Sequence, residues 1–278
     1  LRKGNVFNMK RSAVLWIIAV IVTLGSVFYQ RLTGPTHPVR GSVEIGGEKI
    51  KYRLLRTHVT DEDARMKISA SSNVSGEISL RRFKSHDEWR TEAIPREGDK
   101  LIVAVPKQPP AGKVMYRVTL IDKNTGTHYD LSDEPIIIRF KGAVPGFVIW
   151  PHVIIMFLGM LWATRTGLEA VLNGDKIFRQ AVWTTIILSI GGLIFGPLLQ
   201  KFAFNEWWTG WPFGHDLTDS KTAVAVIFWV WALWRHRAGN RGRFWIIVAA
   251  VVTFVIFIIP HSVLGSEIDY TKIEQPAG

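Results

Sequence analysis

Residues 13–29, Ala13-Val-Leu-Trp-Ile-Ile-Ala-Val-Ile-Val-Thr-Leu-Gly-Ser-Val-Phe-Tyr29, carry no charge, and the basic residues before them, Arg2, Lys3, Lys10 and Arg11, have no acid among them. A helix rising 1.5 Å per residue needs about 20 residues to cross roughly 30 Å of hydrocarbon, a length this run reaches with its polar and aromatic flanks. Four further uncharged tracts follow at 147–164, 181–199, 222–234 and 244–259. The tract at 222–234 is the shortest, yet Trp229, Trp231 and Trp234 lead directly into Arg235, His236 and Arg237, as an interfacial anchor requires. Such tracts in a chain of 278 residues rule out a wholly soluble protein.

Charge in the short connecting segments sets an orientation. The segment before the first tract and residues 235–243, with Arg235, Arg237, Arg241 and Arg243, are purely basic, and Arg165, Lys176 and Arg179 outnumber Glu169 and Asp175 between the second and third tracts. On the other side, residues 200–221 hold two lysines against three acids, and the C-terminal stretch sets Glu267, Asp269 and Glu274 against Lys272. The positive-inside rule then places the N-terminus in the cytoplasm and the C-terminus outside, in a multi-pass plasma membrane of the bacterial inner-membrane type. The chain has 34 Lys and Arg against 23 Asp and Glu, a net +11. Because the purely basic segments abut spans, this excess reads as membrane anchoring and not as a nucleic-acid surface. The first tract is expected to be an uncleaved signal anchor, since Val27-Phe-Tyr-Gln30 is bulky where signal cleavage needs small side chains. Met9-Lys10-Arg11 has the form of a translation start.

Between the first two tracts the pattern changes from long apolar runs to alternation. Runs at 41–45, 49–55, 65–69, 76–81, 100–105, 114–120 and 135–140 alternate apolar and polar residues and are separated by Gly, Pro, Asn and Asp. That is the signature of short strands and turns, and Gly46-Gly47 predicts a tight hairpin. The expected fold is a mixed membrane protein: a five-helix transmembrane region with an inserted all-β, immunoglobulin-like sandwich on the outer face. Its divisions are an N-terminal cytoplasmic segment and signal anchor (1–30), the exported β domain (31–145), a four-helix bundle (146–264) with an external aromatic loop (200–221), and an external C-terminal tail (265–278). There is no cysteine, so disulfides, thiolate metal sites and cysteine nucleophiles are excluded. In the β domain His58, His86 and His128 are scattered and Asp61-Glu-Asp63 reads as a solvated turn. Nothing there resembles a nucleophile elbow, a phosphate loop or a zinc-protease helix, which leaves a docking module for a protein partner.

The remaining candidates gather on one membrane face. His152 follows Pro151 near the outer end of the second tract, His261 follows Pro260 at the outer end of the fifth, and His215-Asp216 lies in the external loop. His152 stands out because an imidazole several residues inside an apolar tract needs a partner to offset its desolvation. His152, His215, Asp216 and His261 form a nitrogen and oxygen set suited to copper, zinc, iron or manganese, and His152 with His261 could serve as axial ligands of a b-type haem. Quinone is a further ligand of this face. The bland alternative is interfacial histidines with separate hydrogen bonds, and an aromatic belt formed by Trp207, Trp208 and Trp211. Two functions follow: a membrane subunit with an outer-face metal or haem site in quinol-linked or partner-linked electron transfer, or a non-catalytic scaffold or assembly factor whose β domain docks a protein subunit. No catalytic residue is nominated for either.

Overall fold

The structure is a computed structural model that describes residues 2–214, 216–239, 242–260 and 265–273. Helices and several β-sheets divide it into two compact units. One holds the segment up to Pro35, Val144–Phe202 and Glu206–Gly265; the other holds Thr36–Ala143, Ala203–Asn205 and the segment that starts at Ser266.

Alternation governs the second unit. Its strands are β1 (Val39–Ile45), β2 (Glu48–Leu54), β3 (Thr57–Val59), β4 (Ala64–Ser69), β5 (Val74–Arg82), β6 (Arg90–Ala93), β7 (Arg96–Glu97), β8 (Lys100–Val105), β9 (Lys113–Asp122), β10 (His128–Asp130) and β11 (Ile136–Lys141). Each of the seven alternating runs overlaps a strand, with Leu55 and Pro135 falling just outside β2 and β11, and the short β3, β6, β7 and β10 are additional to them. β1 and β2 pair antiparallel with Ile45 opposite Glu48, so the turn is Gly46-Gly47, both at positive φ as a two-residue hairpin loop demands. A larger sheet runs β3-β11-β9-β5-β6 with β10 also on β9, and a third runs β4-β8-β7. All of these pairs are antiparallel except β3 with β11, which is parallel. Inward residues of the three sheets share one core, in which Ile50, Ile68, Leu101, Tyr116, Ile138 and Phe140 are fully buried. Tyr116 is admitted because its phenol donates to the Leu55 carbonyl at 2.7 Å, and burial pushes that phenol up from its ordinary pKa.

Residues 266–273, expected as a tail, pack on this β unit. Lys84 and Lys113 both pair with the Glu267 carboxylate, the latter at 2.5 Å. Tyr270 is buried, donates to Gln108 Oε1 at 2.9 Å and lies under the Arg82 guanidinium. Arg139 on β11 donates to Ser266 O at 2.6 Å and stacks over Phe204 at 3.9 Å.

The other unit is helical: α1 (Arg2–Thr33), α2 (Gly146–Val171), α3 (Ile177–Ser189), a π-helical segment Ile190–Phe195, α4 (Gly196–Phe204), α5 (Leu217–Arg237) and α6 (Gly242–Ile258). The single turn α7 (Tyr270–Ile273) belongs to the β unit. Among the described residues three helical runs are long and apolar enough to cross a membrane: Lys10–Thr33, Gly146–Val171 and Ile177–Phe204, the last being α3, the π segment and α4 in continuity. α6 is apolar but shorter, and α5 carries Asp219, Lys221, Arg235 and Arg237 within its length. α1 packs on α2 and α6, α2 on α3 and α6, and α5 on α3 and α6. Close approach explains three glycines. A Cβ at Gly159 would stand 2.6 Å from Leu188, one at Gly167 2.7 Å from Ala250, and one at Gly192 2.2 Å from Thr222. Gly196, which forms a small-residue pair with Gly192 in the sequence, has no such neighbour.

Candidate functional site: a polar-ended cavity among the helices

His152 sits two turns into α2, and Pro151 before it is inside the helix, not in its first turn as a proline at a helix end would be. Pro151 has no N–H to give, and a helix broken in its bonding at this level faces another irregular one, the π segment. The two meet through a hydrogen bond: His152 Nδ1 lies 3.0 Å from Gly191 O. A carbonyl only accepts, so Nδ1 carries the proton and donates, and the lone pair of the neutral imidazole is left on Nε2. Gly191 allows the approach, because a Cβ there would meet Met156 Sδ at 2.8 Å.

A second polar group forms at the end of α6. The last carbonyls of a helix have no N–H of their own turn to accept from, and Pro260 supplies none. Gln30 Nε2 donates to Phe257 O at 2.8 Å and to Ile259 O at 3.2 Å, and Lys221 Nζ donates to Ile259 O at 2.8 Å. An ammonium at a helix C-terminus also complements the helix dipole. Lys221 is buried, only 6% exposed.

These groups border one cavity of about 390 Å³ inside the helical unit. Its walls are largely apolar, drawn from α1, α2, α3, α4, α5 and α6, with Ile149, Met156, Phe157, Leu188 and Ile256 among them. The polar lining is Gln30, Arg31, His152, Lys221 and Thr222. Volume and composition match a pocket for a small amphipathic molecule, which is apolar over most of its surface and oriented by a few polar groups.

Of the residues nominated for coordination, His152 lines this cavity and Asp216 does not. Asp216 is the N-cap of α5: its Oδ1 accepts from Thr218 N at 2.7 Å, which satisfies a main-chain donor at the helix start. His215 and His261 lie outside the described residues. The carboxylates of Asp219, Glu267 and Asp269 are occupied too. Asp219 accepts from Thr209 N at 2.8 Å and so fastens the aromatic loop to α5. Ser220 Oγ accepts from Trp211 N at 3.0 Å, and Gln200 donates to Thr209 Oγ1 at 2.7 Å, adding to the same fastening. Asp269 accepts from Thr271 Oγ1 at 2.5 Å. Glu267 lies between its two lysines; burial pushes its carboxyl up, and the hydrogen bonds and charges of Lys113 and Lys84 outweigh this and hold it below the usual range. Among the described residues no three His, Asp or Glu side chains come together in a group able to hold a metal ion.

Two features of the helical unit have no clear signal in the sequence. Lys221 stands at the edge of its apolar tract and reads as a loop charge, whereas it lies in the first turns of α5 and borders the cavity. Arg165 and Glu169, read as connecting-segment charges, lie within α2 and pair at 2.6 Å, with the Arg165 side chain only 3% exposed. Their i,i+4 spacing is the one signal that points to the pair. With the geometry in hand, comparison with known proteins adds no relative: no protein-family description, no curated protein and no solved structure matches the chain.

Proposed function

We propose that the chain is an integral membrane subunit that binds a membrane-dissolved amphipathic molecule in the cavity beside His152, with its β unit available to dock a partner protein. The observation that carries this reading is the cavity itself: an apolar chamber among helices with a cluster of polar side chains at its wall. His152 is poised as an acceptor through Nε2, while Lys221 and Arg31 supply donors. A quinol, whose hydroxyl suits such an acceptor, is one member of that ligand class and keeps the electron-transfer function in view. A metal or haem function would draw on His215 or His261 in addition to His152.

The finer topology belongs to the same proposal. α1, α2, the run Ile177–Phe204, α5 and α6 act as five crossings, with the basic segments in the cytoplasm of a bacterial inner membrane and the β unit, an immunoglobulin-like sandwich, outside. Support comes from the charge asymmetry of the connections and from Trp207, Trp211 and Phe213, exposed as an interfacial aromatic belt would be.

Purification from native membranes in mild detergent, followed by solvent extraction and mass spectrometry, tests the binding function. A stoichiometric amphiphile is expected, and it should be lost from Val153→Trp, which fills the chamber from its wall. A folded protein that retains none, and that takes up none when lipid or quinone is added back, would overturn it.

A further inference from the structure

The polar lining of the cavity is unbalanced in charge. Arg31 and Lys221 are cationic, Gln30 and Thr222 are neutral, and among the described residues no carboxylate lines the cavity. Asp216 acts on Lys221 electrostatically, but it does not line the cavity and its Oδ1 is engaged by Thr218 N. Asp216 thus supplies a counter-charge from outside the cavity, while among the described residues the one hydrogen bond of the Lys221 ammonium goes to a neutral carbonyl, Ile259 O, and on the cavity side the charge faces no anion. Capping of α6 accounts for one of the three ammonium N–H groups. Arg31, an exposed residue, adds a second cation at the same cavity.

The lining also offers acceptors. With Nδ1–H of His152 directed to Gly191 O, Nε2 accepts, and with the Gln30 amide nitrogen directed to Phe257 and Ile259, Oε1 is the group of that side chain suited to accept. Two cations with two acceptors fit a head group that combines anionic oxygens with hydroxyl hydrogens. They fit a neutral quinone head less well, since it places no negative charge beside Lys221 and Arg31.

Resting on the reading that the cavity holds an amphiphile, we propose that its ligand is an acidic phospholipid with a hydroxylated head group. The phosphate is held by Lys221 and Arg31, the hydroxyls by His152 Nε2 and Gln30 Oε1, and an acyl chain lies along the Met156, Phe157 and Leu188 wall.

Native mass spectrometry of the whole chain, released from detergent with dioleoyl phosphatidylglycerol, dioleoyl phosphatidylcholine or decylubiquinone added at equal concentration, provides the test. We expect phosphatidylglycerol to be retained about tenfold over either neutral-headed competitor, the factor that about 1.4 kcal/mol of head-group contact gives. Lys221→Gln should abolish the preference and Lys221→Arg should keep it, and the wild-type selectivity stands as a readout even where a variant folds poorly. Equal retention of phosphatidylglycerol and phosphatidylcholine, or displacement of both by decylubiquinone, overturns the anionic assignment while leaving an amphiphile-binding cavity intact. Retention of none of the three overturns both.

Discussion

The two units treat their charged side chains differently. In the β unit several cations meet carboxylates, Arg82 with Asp87, Lys84 and Lys113 with Glu267, and Arg90 with Glu92, while Arg96, Lys123 and Arg139 donate to main-chain carbonyls of strands and loops. In the helical unit they chiefly meet main-chain carbonyls at helix ends. Arg243 donates to Ala170 O at 2.5 Å and to Val171 O at 2.9 Å, Arg11 reaches Leu172 O, and Lys221 reaches Ile259 O. The helices contain few acids, so the orphan carbonyls of their last turns are the acceptors that remain. A basic residue near the end of an apolar helix is therefore read first as a carbonyl cap. It earns a further role only where, like Lys221, it also borders a cavity.

Arg165–Glu169 is the counter-example within the helices, and breaking it should give the largest effect. Glu169→Ala leaves a buried guanidinium without its carboxylate and is expected to cost about 3–5 kcal/mol. Adding Arg165→Met to that variant should recover most of the loss. Unfolding in SDS followed by tryptophan fluorescence measures both, and a single variant as stable as the parent would place this pair with the weak ones.

The Arg82–Asp87 pair should come next. Two hydrogen bonds of 2.7 Å join the side chains, and the Arg82 guanidinium chiefly holds the Asp87 carboxyl at about 2, below its ordinary 3.8. A carboxyl depressed by folding stabilises the native state above its unfolded pKa, and that contribution fades as pH falls from about 4 towards 2. Both side chains are 30% exposed, so solvent screening limits the effect to about 1 kcal/mol. Hydrogen-exchange protection of β5 should fall over that pH window in the parent and be flatter in Asp87→Asn. Arg90→Ala should do least, within about 0.5 kcal/mol in thermal melts, because Arg90 is 79% exposed and its pair with Glu92 lies in water.

The elements that could be read from sequence are those with a period or a tract length. Alternation located the long strands, Gly46-Gly47 located their first hairpin, and uncharged runs located the apolar helices. The short β3, β6, β7 and β10 were illegible because two to four residues carry no period. His152 was legible because a polar ring inside an apolar tract demands a partner, and Gly191 O is that partner. The sequence does not reveal that Asp216 would become a helix cap, since a cap and a ligand need the same short carboxylate. Nor could Lys221 and Gln30 be matched to the α6 carbonyls, because those contacts span 38 and 227 or more positions of chain and arise only from packing.

The pairing of Glu267 with Lys84 and Lys113 has a consequence for biosynthesis. A ribosome delivers the strands of the β unit first, then Phe204, and only after α5 and α6 Ser266, Glu267 and Tyr270. Until then the two lysines have no Glu267 carboxylate, Arg139 has neither Phe204 nor Ser266, and the Arg82 guanidinium has no Tyr270 ring. These contacts of the β unit therefore close only after α1 to α6 have been translated.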